Sequence, residues 1–137
     1  MEYVTGIYAL NIPCQLETDG DWHAPALDWN NPRIKESDES LFGQWGIEYD
    51  PQPNYGNITM PVANHIRACL DLIEEGCFGS VQGMRDNFIS NEAYTPLILE
   101  TILLLRNNSL WSEIDAFIGK EYLCDWLDYK ESKSHDR

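Results

Sequence analysis

The stretch Thr95-Pro96-Leu97-Ile98-Leu99-Glu100-Thr101-Ile102-Leu103-Leu104-Leu105-Arg106 limits the fold more than any other. Thr95 is a suitable N-cap, and Pro96 suits the first helical position, where its missing N–H costs no hydrogen bond. At about 100° per residue the seven aliphatic side chains point almost all round the axis, interrupted only by Glu100, Thr101 and Arg106. A helix apolar on nearly every side needs other elements packed around it. Burying those side chains is worth roughly 10–20 kcal/mol gross, before conformational entropy is subtracted. The expectation is a helix at the centre of one core.

With 137 residues the chain is one domain by length, large enough to bury a core without staples. Its 43% hydrophobic and 12% aromatic content separates it from disordered chains of similar charge. No apolar run reaches the roughly 18 residues of a membrane span. Met1-Glu2-Tyr3-Val4-Thr5 has no basic region and carries an early acid, unlike a secretory signal, so a cytoplasmic protein is expected. Cys14, Cys69, Cys77 and Cys124 form no C-x-x-C pair. Two disulfides are formally possible, but free thiols in a reducing compartment are the expectation. Asn57-Ile58-Thr59 fits the glycosylation pattern, and without a signal segment it reads as a chance match.

The net charge of −14 argues against binding nucleic-acid backbones or anionic membranes, which need clustered Lys and Arg. Two readings stand: a basic protein partner, or an acidic surface that serves solubility alone.

The first 58 residues are aromatic and loop-rich, with ten carboxylates against Arg33 and Lys35. Residues 3–10 (YVTGIYAL) have the β-branched and aromatic content of a strand that Pro13 closes. Asp19-Gly20 is a hairpin signal leading to a second candidate strand over 22–29, which Pro25 demotes to an edge. Asn30-Asn31-Pro32 is a turn, and residues 33–40 (RIKESDES) read as surface loop. Residues 44–50 alternate, with Trp45, Ile47 and Tyr49 on one face and Glu48 and Asp50 on the other, as a half-buried strand does. Residues 51–56 (PQPNYG) connect to a helical half.

A helix is predicted from Met60-Pro61, capped by Thr59 and closed by Gly76. Val62, Ala63, Ile66, Cys69, Leu70 and Ile73 share its apolar arc, while Asn64, Arg67, Asp71, Glu74 and Glu75 fill the opposite face. His65 falls at the edge of that arc and reads as a hydrogen-bonded core histidine. A second helix over 80–89 spaces Val81, Met84 and Phe88 on one side. Asn107-Asn108-Ser109 ends the apolar helix and caps the next. There Leu110, Trp111, Ile114, Phe117 and Ile118 share a face, whereas Tyr122, Leu123, Trp126 and Leu127 project well away from it. One straight helix cannot bury both sets, so Gly119 is the predicted break, with a last helix over 120–131 and a frayed polar tail.

Two constellations bear on function. Asp19-Gly20-Asp21-Trp22-His23, with Cys14 nearby in sequence, supplies carboxylates, an imidazole and a thiol. These residue types suit a divalent metal, or His23 as a base for Cys14. Their spacing matches no established ligand motif, and a hairpin turn with local Asp hydrogen bonds explains them equally. His135 lies in the tail, and there is no phosphate loop, G-x-S-x-G or H-E-x-x-H. The acids form the second set: a cluster of Glu36, Asp38 and Glu39, and a stripe of Glu121, Asp125 and Asp128 at i, i+4 and i+7. Like charges at that spacing cost a few tenths of a kcal/mol each. A basic partner would offset the cost; a solvated face is the competing reading.

The segments YVTGIYALN from Tyr3, Cys14, GDWH from Gly20 and LFGQWGIE from Leu41 resemble a family of small acidic bacterial proteins known mainly as uncharacterised reading frames. VANHIR from Val62 and GKEY from Gly119 are similar as well, so the resemblance spans most of the chain. It implies a bacterial cytoplasmic accessory protein from a toxin–antitoxin or mobile-element setting, and no reaction, cofactor or catalytic residue.

The expected architecture is one α+β domain. A small, mostly antiparallel sheet with long loops occupies residues 1–58, followed by four to five helices over 59–131 around a central buried helix at 96–106. The expected role is a non-enzymatic, antitoxin-like or regulatory partner of a basic protein, with no cofactor. The alternative is a small enzyme or metal-binding protein using Asp19, Asp21, His23 and Cys14.

Overall fold

A computed structural model describes residues 1–21, 23–49 and 59–135. Trp22 of the predicted second strand, Asp50 of the alternating segment, the 51–56 connector, Asn57-Ile58 of the glycosylation triplet and the last two tail residues lie outside the described residues.

The fold is α+β, with a small mixed sheet in the N-terminal half and a helical C-terminal part. The strands are β1 (Glu2–Val4), β2 (Ile34–Glu36), β3 (Ile47–Glu48) and β4 (Val62–Ala63), ordered β2-β1-β4-β3. β1 runs antiparallel to β2, with Tyr3 opposite Lys35, and parallel to β4, with Val4 opposite Val62. β3 is antiparallel to β4, with Ile47 opposite Ala63. Two of the three pairings are thus antiparallel, as expected. The central strands carry the buried Tyr3, Val4, Val62 and Ala63.

Each strand is shorter than its sequence pattern. The predicted strand over 3–10 stops at Val4, because Gly6 takes φ +66° and turns the chain into α1 (Gly6–Leu10). That short helix buries Ala9 and Leu10. Among the described residues of the second candidate strand there is a 3-10 turn, Ala24–Ala26, and no strand. Residues 33–40 are not simply surface loop: they supply the edge strand β2 and bury Ser37. The alternating segment keeps only Ile47–Glu48 as strand. Gly46 sits at φ +76°, which breaks the extended run and leaves Trp45 and Tyr49 40% and 58% exposed.

The centre of the core is α2 (His65–Glu74), where every residue from His65 to Ile73 is buried. It begins four residues later than Pro61 suggested, because Val62–Ala63 is drawn into the sheet between β1 and β3. Asn64 caps it, its Oδ1 accepting from the Arg67 N–H at 2.8 Å. Arg67 and Asp71, expected on the solvent face, are inside. The Arg67 Nε donates to Asp71 at 2.8 Å, and both side chains are at most 1% exposed. The Tyr3 and Thr5 hydroxyls each donate to the other Asp71 oxygen at 2.6 Å. The Arg67 guanidinium also reaches the Tyr3 hydroxyl and the carbonyls of Gly43 and Trp45. A buried ion pair persists only when such partners complete its hydrogen bonding. This one ties α2 to β1 and to the turn before β3.

The apolar stretch forms α3 (Thr95–Leu103), with Tyr94 rather than Thr95 as the N-cap and Pro96 in the first turn. Ile98, Leu99, Thr101 and Ile102 face the core, but Leu97 and Leu104 are 38% and 54% exposed. α3 is therefore a flanking helix, and the central helix is α2. Residues 80–89 form a single π-helical turn, Met84–Phe88, entered through Gly83 at φ +86°. Val81 and Met84 are buried as their spacing implied.

The C-terminal pair is α4 (Trp111–Tyr122) and α5 (Cys124–His135), so residues 132–135 are helical rather than frayed. The phase change inferred from the sequence is real, but the break falls at Leu123, at φ +52°, and α4 runs straight through Gly119. Ile114, Ile118 and Tyr122 are buried from α4 and Trp126 from α5, while Leu123 and Leu127 point outward. Asp115 holds the two helices together, accepting at 2.7 Å from both Trp126 Nε1 and Lys130 Nζ.

Candidate functional site

α3 and α5 lie beside each other and leave an open groove of about 690 Å³. Its lining combines the apolar Pro96 and Leu99 and the Tyr129 ring with the carboxylates Glu92, Asp125 and Asp128 and the Arg85 guanidinium. The break at Leu123 produces this arrangement. It rotates α5 so that Trp126 goes inward while Asp125 and Asp128 stay exposed on the groove side. Arg85 Nη2 reaches Asp125 at 3.3 Å, a partly exposed pair that solvent screens strongly. Three carboxylates face one guanidinium, so the groove remains acidic.

The predicted stripe is divided by the same break. Glu121 belongs to α4, and its carboxylate accepts from the backbone N–H of Gly83 at 3.1 Å and of Arg85 at 3.4 Å. It anchors the π-helical turn, while Asp125 and Asp128 share the groove on α5. The second acidic cluster lies on β2 and the turn after it. Glu36 pairs with the N-terminal ammonium, which holds its carboxyl below the usual carboxylate range; Asp38 and Glu39 are exposed. Nearby, Lys35 bridges Glu74 at 3.5 Å and Glu75 at 3.2 Å, and Arg33 pairs with Glu75.

Asp19, Asp21, His23 and Cys14 are not gathered into one site. His23 Nδ1 contacts Asp21 Oδ1 at 2.6 Å, and the His23 backbone N–H donates to Asn11 Oδ1 at 2.8 Å, so these residues fasten the loop after α1. Asp19 is exposed, and its neighbour Gly20, at φ +67°, donates its N–H to the distant Phe88 carbonyl rather than turning a hairpin. Among the described residues no three His, Cys, Asp or Glu side chains are placed to hold a metal ion.

Cys14 points elsewhere, to the buried His65 at the start of α2. Thr18 lies between them, its Oγ1 3.5 Å from Cys14 Sγ and 2.6 Å from His65 Nδ1. His65 Nε2 is 2.7 Å from the Ile12 carbonyl oxygen, which can only accept, so Nε2 carries a proton and Nδ1 faces Thr18 and the thiol. Burial pushes the Cys14 thiol up, but the nearby His65 and Thr18 outweigh it and leave the pKa below its ordinary value. Burial likewise disfavours the charged imidazole, but Cys14, with the Ile12 carbonyl and Glu48, more than compensates, so the His65 pKa is raised. The core position of His65 was legible in its helical phase. Its pairing with Cys14, far away in sequence, had no local signal.

No protein-family model, curated protein or solved structure matches the chain. Among the described residues no helix is long and apolar enough to cross a membrane.

Proposed function

We propose that the chain is a non-enzymatic interaction protein that binds a basic protein partner in the cytoplasm, and that the α3–α5 groove takes the partner's Lys or Arg side chains. The supporting observation is that Pro96, Leu99 and Tyr129 line the same groove as the carboxylates Glu92, Asp125 and Asp128. A long basic side chain has the same two parts. Its aliphatic stem packs on the apolar lining while its charged head meets the acids. A net charge of −14 steers such a partner from a distance. An antitoxin-like or regulatory role fits a protein that covers a basic surface.

Titration of a fluorescent Arg/Lys-rich peptide tests this reading. Binding is expected to weaken sharply between about 0.05 M and about 0.3 M salt, as the screening length shortens. The double variant Asp125→Asn/Asp128→Asn is expected to lose about tenfold in affinity, about 1.4 kcal/mol. The variant Asp38→Asn/Glu39→Gln changes net charge equally and should lose far less. Equal losses in the two variants would mean that bulk charge, and no groove, holds the peptide.

A further inference from the structure

We propose that Cys14 is a site of oxidative modification, a thiol activated by His65 through Thr18 that peroxides convert to a sulfenic acid. The geometry forms a proton relay. In the neutral state the Cys14 S–H faces Thr18 Oγ1, and the Thr18 O–H donates to His65 Nδ1. In the ionised state both bonds reverse: Nδ1–H donates to Thr18 Oγ1, and the Thr18 hydroxyl donates to the thiolate. The bond from Nε2–H to the Ile12 carbonyl fixes the ring for both states. The loop is itself clamped onto the ring, since a Cβ at Gly20 would lie 2.8 Å from His65 Cε1.

Cys69, one turn further along α2, provides the contrast. It is fully buried, and burial pushes its thiol well above the ordinary value, as expected of an inert structural cysteine. Cys14 retains 9% of its surface, in a loop where Pro13, Gln15 and Glu17 are exposed, and a molecule as small as hydrogen peroxide would enter along this edge. Glu48, on β3, accepts from the Gln15 N–H at 2.8 Å and adds negative charge that favours the imidazolium. In the reaction the thiolate sulfur attacks one peroxide oxygen, the S–O bond forms and the O–O bond breaks. Sulfur loses two electrons to the peroxide, and the departing hydroxide takes the proton from His65 to leave as water.

The exposed Cys77 and Cys124 serve as internal standards. Folded protein is treated with hydrogen peroxide near pH 6, sulfenic acid is trapped with dimedone, and each cysteine is quantified by peptide mass spectrometry. Cys14 is expected to label at least about tenfold faster than Cys77 and Cys124 despite its burial, because His65 and Thr18 are placed to stabilise its thiolate. His65→Asn should abolish this advantage. Should that variant fail to fold, Thr18→Val removes the relay hydroxyl and is expected to slow Cys14 several-fold. Labelling of Cys14 no faster than the exposed thiols in the wild-type protein would overturn the proposal. So would fast labelling that neither variant changes.

Discussion

Arg67→Ala is expected to lower the stability of the domain by about 3–5 kcal/mol, a large part of the roughly 5–15 kcal/mol that holds a domain of this size. The wild-type side chain is 0% exposed and donates to Asp71, to the Tyr3 hydroxyl and to two backbone carbonyls. Its guanidinium also lies 5.1 Å from the centre of the Tyr3 ring and 5.6 Å from that of Phe42. Truncation leaves the Asp71 carboxylate buried without its cation and the Gly43 and Trp45 carbonyls without that donor. The cost comes from orphaned partners rather than from a lost contact. Chemical denaturation measures it directly. A loss below about 1 kcal/mol would mean that water or rearrangement rescues the site, and that the buried network does not hold α2 to the sheet.

Gly20→Ala is expected to cost about 2–4 kcal/mol, unusually much for the addition of one methyl group. At φ +67° a side chain is strained by its own backbone, and the new Cβ would lie 2.2 Å from the Leu10 carbonyl oxygen and 2.8 Å from His65 Cε1. Neither obstacle yields easily. The Leu10 oxygen already accepts from the Asp21 N–H at 2.9 Å, and the Gly20 N–H donates to Phe88 O at 3.0 Å, so the backbone is held on both sides. The thermal midpoint should fall accordingly, and the Cys14 relay should loosen with it. An unchanged midpoint would show that the loop does not press on the His65 ring.

The class of fold was legible because it rests on local signals. The aromatic N-terminal segments read as strand, the later apolar periodicity as helix, and the clash of phase around Gly119 as two helices. What escaped was set by contacts between distant residues. A helical wheel sends charge outward, so Arg67 and Asp71 looked solvated; their partners Tyr3, Thr5, Gly43 and Trp45 come from another part of the chain. Val62–Ala63 is too short to show a strand period and was absorbed into the helix that follows. The apolar run from Leu97 to Leu105 suggested a central helix, yet apolar residues can remain at a surface, as Leu97 and Leu104 do. For the acids, composition revealed the charge, but the left-handed Leu123 decides which of them share a groove. The pairing of Cys14 with His65 follows only from the folded chain.

α2 is the element on which the rest depends: it carries Arg67 for the sheet and His65 for the loop after α1, and its neighbours bury every residue from His65 to Ile73. Native-state hydrogen exchange followed residue by residue tests this most directly. Amides of residues 68–73 are expected to exchange only through global unfolding, with opening free energies equal to the stability measured by denaturant. Amides near the end of α3, around Leu103 and the exposed Leu104, are expected to exchange through smaller openings. The reverse order, with α3 the most protected and α2 opening first, would contradict a fold built around α2.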